Sequence, residues 1–219
     1  MTHDTGLRLR REAWGFAIGS LFFMVGAVPW YATAVGPVLD AATFFVGALF
    51  FTAAAGIQLA LSGRKPPRRD TDRPNVFDWW AAAVQFVGTL FFNVSTTEAL
   101  IVAIQSPGDS GGWRPDALGS IAFLVASAFA VVATTERDRL WDPLARTWQC
   151  TWLNMAGSVF FGISAIGAYV IPETGNLVNE LWANAGTFLG GVCFLVAALL
   201  SRPAPQPATT TASRTAATT

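Results

Sequence analysis

Gly88-Thr89-Leu90-Phe91-Phe92 lies in the middle of a long apolar stretch, and close variants of it occur in five other such stretches. They are Gly19-Ser20-Leu21-Phe22-Phe23, Gly47-Ala48-Leu49-Phe50-Phe51, Gly119-Ser120-Ile121-Ala122-Phe123, Gly157-Ser158-Val159-Phe160-Phe161 and Gly190-Gly191-Val192-Cys193-Phe194. Gly19, Gly88 and Gly157 follow one another at intervals of 69 residues, while Gly47, Gly119 and Gly190 are 72 and 71 apart. Each period is long enough for one antiparallel pair of helices, so the chain reads as three tandem helical hairpins in which every helix carries a G-small-x-x-F motif. A pseudo-threefold is one arrangement of the hairpins that these periods allow, and the sequence leaves it open. Gly at i and Phe at i+4 share one helix face, and a small residue beside the glycine removes bulk where a neighbouring helix must approach. Gly19, Gly47, Gly88, Gly119, Gly157 and Gly190 are therefore expected to be helix-packing positions. Gly15/Gly19 and Gly186/Gly190 extend two copies to G-x-x-x-G, a spacing associated with close crossings in bilayers. The alternative role for these glycines is to line a substrate path.

The six stretches run approximately Ala13–Ala34, Ala41–Ser62, Trp79–Ile101, Ala117–Thr135, Trp148–Ile171 and Leu181–Ser201. Each approaches or exceeds the roughly 20 apolar residues that cross about 30 Å of hydrocarbon at 1.5 Å per residue. The composition agrees: of 219 residues, 53% are hydrophobic and 13% charged, against about 25% charged in an average soluble domain. The fold class is thus an all-α polytopic membrane protein of six transmembrane helices. Its transmembrane domain covers residues 13–201, with hairpins at about 13–62, 79–135 and 148–201. Residues 1–12 are expected to be an amino-terminal tail. Residues 202–219, rich in Pro, Ala and Thr, are expected to be disordered. Ala32-Thr33-Ala34 imitates a signal-peptidase site, but the preceding apolar stretch is longer than a signal h-region and carries the motif found in every later span.

Basic residues set the orientation, since short loops rich in Lys and Arg stay on the cytoplasmic side. Of the 14 Lys and Arg residues, only Arg114 falls in the three loops that alternate with the basic ones. Both termini are therefore expected in the cytoplasm. Trp14, Trp79, Trp80, Trp141, Trp148 and Trp152 would mark the inner headgroup level and Trp30, Trp113 and Trp182 the outer. The loop Arg64–Arg73 holds five basic residues and is a candidate for contact with anionic lipid; its prolines argue against an ordered helix across Gly63–Asp78.

Several chemistries are excluded. Formal net charge is zero, so there is no basic field for nucleic acid. Two Cys and one His cannot build a disulfide framework, a Cys/His zinc site or a bis-His haem. Gly108-Asp109-Ser110-Gly111-Gly112 copies a serine-hydrolase nucleophile motif, yet the only His is His3, on the opposite side of the expected topology, and the context is ordinary turn chemistry. No catalytic, cofactor or metal site is expected, and the chain does not read as an enzyme. The third span offers a different candidate. Gln85, Thr89, Asn93 and Thr96 or Thr97 share one helical face, and from Trp79 Asn93 lies about 21 Å deep. Asn154 stands three residues before Gly157 as Gln85 does before Gly88. These amides serve either interhelical hydrogen bonding or a hydrated path for a small solute or ion. Glu98, the only acid inside a span limit, falls at the outer interface and reads as a solvated end residue.

The arrangement of small residue, apolar pair and Phe after an interfacial Trp or Asn, clearest in Trp152–Tyr169 and Asn184–Leu200, resembles the YrhK-like family of small bacterial membrane proteins. The resemblance covers the third hairpin best and the others through the repeat. It implies a multi-pass protein of the bacterial cytoplasmic membrane with no assigned reaction, and supplies no catalytic residues. The expectation is a non-enzymatic membrane protein with a structural or interaction role; the alternative is a small channel or transporter with a polar path along the third span.

Overall fold

The computed structural model describes residues 3–63, 65–106, 113–137 and 140–202. Seven helices account for most of it: α1 (His3–Gly26), α2 (Pro29–Val35), α3 (Pro37–Ser62), α4 (Arg73–Gln105), α5 (Trp113–Arg137), α6 (Arg146–Gly167) and α7 (Glu180–Ser201). Five are long and apolar enough to cross a membrane, and α1 with α2 makes a sixth if the bent pair is counted as one span. The protein is an all-α, multi-pass membrane protein.

The first span is not the single straight helix that Ala13–Ala34 suggested. It breaks at Ala27-Val28, and α2 turns 80° away from α1. Pro29 opens α2, and Val28 before it is extended (φ −88°, ψ 115°), because a residue preceding proline is driven out of the helical region. Two further signals follow: Gly36, at φ 79°, ends α2, and Pro37 opens α3. Helix α2 buries no residue, and its Trp30 is among the most exposed apolar side chains. It packs mainly on α3 and less on α1.

Two more boundaries differ from the apolar limits. Residues expected as an amino-terminal tail continue α1 back to His3. The basic connection is helical from Arg73 onward, with Pro74 in the first turn of α4, where a missing N–H leaves no bond unmade. At 33 residues, α4 is about 50 Å long and projects beyond the hydrocarbon thickness. Arg64, Ser110 and residues 203–219, which are the tail expected to be disordered apart from its first residue Arg202, lie outside the described residues.

Long helices that are neighbours in sequence pack antiparallel: α1 on α3, α3 on α4, α4 on α5, α5 on α6 and α6 on α7. Helix α7 then packs on α1, which closes the six into a ring. The end carrying the start of α1 and the finish of α7 is called the terminal end below, the opposite end the far end. Side chains are distributed for a lipid solvent. Leu21, Leu49, Leu90, Val94, Leu118 and Ile121 face outward. Buried positions are mostly Gly, Ala, Ser and Thr, plus six phenylalanines that form one cluster at the centre, Phe23, Phe51, Phe92, Phe123, Phe161 and Phe194. Lipid tails give no hydrophobic drive for helix association, so small residues that permit close backbone approach supply the contact.

Candidate functional site

The central cluster governs what can pass along the axis. Phe23, Phe92 and Phe161 form a triangle with ring centroids 6.1, 5.8 and 5.7 Å apart. Phe51, Phe123 and Phe194 form another, with separations of 6.2, 6.1 and 5.6 Å. Edge or tilted contacts at 5.3, 5.1 and 5.2 Å join the triangles through Phe23–Phe51, Phe92–Phe123 and Phe161–Phe194. Such separations suit the edge-to-face preference of aromatic rings, and they leave no lumen at this level.

The glycines make room for these rings. A Cβ at Gly88 would lie 2.7 Å from the Phe123 ring, and one at Gly119 would lie 3.0 Å from Phe92. Gly19 faces Phe51 at 2.9 Å, Gly47 faces Phe23 at 2.9 Å, Gly157 faces Phe194 at 3.0 Å, and Gly190 faces Phe161 more closely still. Each motif glycine thus receives the motif phenylalanine of the antiparallel neighbour. The residue after it, Ser20, Ala48, Thr89, Ser120, Ser158 or Gly191, is buried in every case.

The polar face of the third span lands off the axis, on the α3/α4 seam. Asn93 Nδ2 donates to the carbonyl of Ala48 at 3.4 Å and to Thr89 O at 2.9 Å, and also to Thr52 Oγ1. Thr52 Oγ1 donates to Thr89 O at 3.4 Å. Thr89, fully buried, gives its own proton to Phe86 O at 2.7 Å. The amide thereby ties α4 to α3. Gln85 and Asn154 are half-buried, and neither side-chain amide has a hydrogen bond among the described residues. The Asn154 carbonyl does accept from Ser158 Oγ at 2.9 Å and Ser127 Oγ at 3.4 Å. Glu98 is exposed, but α4 continues for seven residues beyond it.

Three features escaped the sequence reading. A ladder of hydroxyls joins α5 to α6: Ser120 Oγ donates to Phe161 O at 3.3 Å, Ser127 and Ser158 meet at 2.8 Å, and Thr134 and Thr151 meet at 2.9 Å. Its signal was the seven-residue spacing of Ser120, Ser127 and Thr134. Beside it, on the lipid-facing side, Trp113, Ile121, Leu124, Val159, Gly162 and Ile163 line an apolar groove of about 360 Å³. A small cavity of about 20 Å³ sits next to the triangle of Phe23, Phe92 and Phe161, lined in addition by Asp116, Ser120, Ser164 and Thr187. Asp116 stands three residues before Gly119, the register that singled out Gln85 and Asn154, but a span drawn from Ala117 left it out.

At the terminal end, Asp78, Thr134, Arg137, Arg146, Cys150, Thr151 and Ser201 surround a pocket of about 370 Å³. Arg137 pairs with Asp78 and also donates to Asn75 Oδ1 at 2.8 Å, and Arg73 pairs with Glu136 at 3.1 Å. These exposed pairs contribute little to stability. Both cysteines are free. Among the described residues, no group of three or more His, Cys, Asp or Glu is placed to hold a metal ion.

Comparison with protein-family models, curated proteins and solved structures finds no match, so the residues themselves carry every functional statement about this chain.

Proposed function

We propose that the chain is a threefold-repeated helical hairpin that serves as a non-enzymatic structural or interaction component of a bacterial cytoplasmic membrane, with both termini in the cytoplasm, and that it groups with the YrhK-like proteins. The observation that carries this reading is the plugged axis: two triangles of phenylalanine, one from α1, α4 and α6 and the other from α3, α5 and α7, with near-equal sides. The three glycine–phenylalanine exchanges, α1 with α3, α4 with α5 and α6 with α7, support the repeat. The bias of Lys and Arg to one set of loops supports the orientation. The connection that includes Lys65, Arg68, Arg69 and Arg73 would draw anionic headgroups at about 1 kcal/mol per basic residue near the surface.

The rival reading, a small channel or transporter using Gln85, Thr89, Asn93 and Asn154, draws on the polar α3/α4 seam. There the Asn93 amide is engaged in holding the two helices together. Flux in proteoliposomes tests the choice. The expected result is no movement of protons, alkali cations, halides or small neutral solutes above empty vesicles. Reproducible flux that Asn93→Leu abolishes would replace this proposal with its rival.

A further inference from the structure

We propose that the small cavity beside the phenylalanine hub is a binding site for one small monovalent cation, held by the Asp116 carboxylate and the hydroxyls of Ser120, Ser164 and Thr187. At about 20 Å³ the cavity admits one occupant the size of a water molecule.

The donor set is one-sided. Ser120 Oγ directs its proton to Phe161 O at 3.3 Å, Ser164 Oγ lies 2.7 Å from Ala183 O, and Thr187 Oγ1 donates to the same carbonyl at 3.0 Å. Ser164 and Thr187 also lie 2.6 Å from each other. Each hydroxyl owns one proton, and backbone carbonyls or the neighbouring hydroxyl take it. Lone pairs are what remain for the cavity. The Asp116 carboxylate adds acceptors only when ionised, so the guest has to displace a proton from it. No hydrogen bond or ion pair reaches Asp116 among the described residues, and Arg114, two positions earlier and exposed, sits on a diverging helix face. A site lined by acceptors and lacking a protein cation selects a positively charged guest.

One carboxylate neutralises one charge, and hydroxyl oxygens are hard donors, which fits an alkali cation or ammonium. A divalent ion would call for more carboxylates and six or more oxygens. The approach favours the same guest. The far end carries Asp40, Glu98, Glu173 and Glu180 besides Asp116, against Arg114 alone among its described basic residues, and a local acidic field raises cation concentration. Asp40 Oδ1 is itself buried without a hydrogen-bond partner. Phe23, Phe92 and Phe161 floor the cavity, so the cation binds at a dead end; the site stands whether or not the bundle conducts.

The test uses full-length protein in detergent, with unfolding followed by tryptophan fluorescence in LiCl, NaCl, KCl, NH4Cl or choline chloride at equal ionic strength. A bound ion stabilises by mass action. The wild-type Tm is expected to rise by about 3–6 °C in at least one small cation relative to choline, and Asp116→Asn and Thr187→Val to remove the difference. Glu98→Gln, at an exposed acid of the same end, should retain it. Radioactive sodium, competed with each of the other cations on wild-type protein, gives a second readout, with saturable binding at one ion per chain expected. Equal Tm in all salts together with no saturable binding would overturn the proposal and assign the cavity to water. A cation effect that survives Asp116→Asn would overturn it as well.

Discussion

The α3/α4 and α5/α6 seams occupy corresponding places in the ring, yet they are closed by different chemistry. On α3/α4 one long amide, Asn93, reaches across to Ala48 O and Thr52. On α5/α6 hydroxyl contacts spaced by seven residues along α5 run down the seam, the Trp113 indole donates to Ala165 O at 2.7 Å near its far end, and an apolar groove of about 360 Å³ remains beside them. The hub between the seams hardly differs from one helix to the next. Its six phenylalanines are the same residue in the same register, and each meets a glycine of its antiparallel neighbour. The difference indicates where a bundle of this kind tolerates change. A ring against a glycine leaves no alternative packing, whereas a seam between apolar helices accepts any small polar group that finds a carbonyl or hydroxyl opposite.

That contrast is broken most severely at the hub. Gly88→Leu would drive a branched side chain into Phe123, which a single Cβ already meets at 2.7 Å. Overpacking costs about 1–3 kcal/mol in general, and a Leu against a ring already this close falls at the upper end of that range. A fall in Tm of about 10 °C, or loss of monodisperse protein on size exclusion, is expected. Gly56→Ala is the counterpart, because a Cβ there meets only Phe86, at 3.6 Å. It should leave Tm unchanged or raise it slightly, as replacing a mid-helix glycine gives about 0.5–1 kcal/mol.

At the α3/α4 seam, Asn93→Leu removes the cross-helix amide contacts. Hydrogen bonds between membrane helices average about 0.6 kcal/mol, with a maximum near 1.7, so a Tm loss of about 2–4 °C is expected. Wild-type stability for this variant would mean the amide has a task other than joining helices. Of the two seams, α5/α6 should yield the smaller single effect. Ser127→Ala is expected to lower Tm by about 1–2 °C. A double-mutant cycle with Ser158→Ala should return a coupling near 0.6 kcal/mol; zero coupling would show that the ladder is incidental to the seam.

The hub glycines were legible in the sequence because their signal is steric and local, a missing side chain four residues from a phenylalanine on the same face. The number of long apolar helices was legible for a similar reason, since hydrocarbon thickness sets their length. The bend at Pro29 was obscured because Ala27-Val28-Pro29-Trp30 is apolar throughout, and hydropathy cannot sense that Val28 has left the helical region. The helical starts at His3 and Arg73 were hidden by charge, which ends a hydrophobic stretch without ending a helix. Asp116 was missed because the apolar limit at Ala117 excluded it, and the hydroxyl ladder for a further reason. Ser and Thr are permissible anywhere in a membrane helix, and only the partner across the seam gives them a purpose. Asn93 was recognised as polar at depth, but its direction, toward α3 and off the axis, depends on a neighbour 45 residues away at Ala48.

The seam between α7 and α1 bears on assembly. No loop of the chain bridges it, and it closes by shape, with Gly191 lying against Met24 and the Ser20 carbonyl, and by the Arg202 guanidinium resting over the Trp14 ring at 5.2 Å. Non-covalent association is therefore sufficient to shut one joint of the ring. The α3/α4 joint has comparable contact and an added amide, so the peptide linkage through residues 63–72 is a tether and not a structural strut. Severed there, the two fragments would still hold complementary edges, and co-expressed halves have the means to find each other within a bilayer.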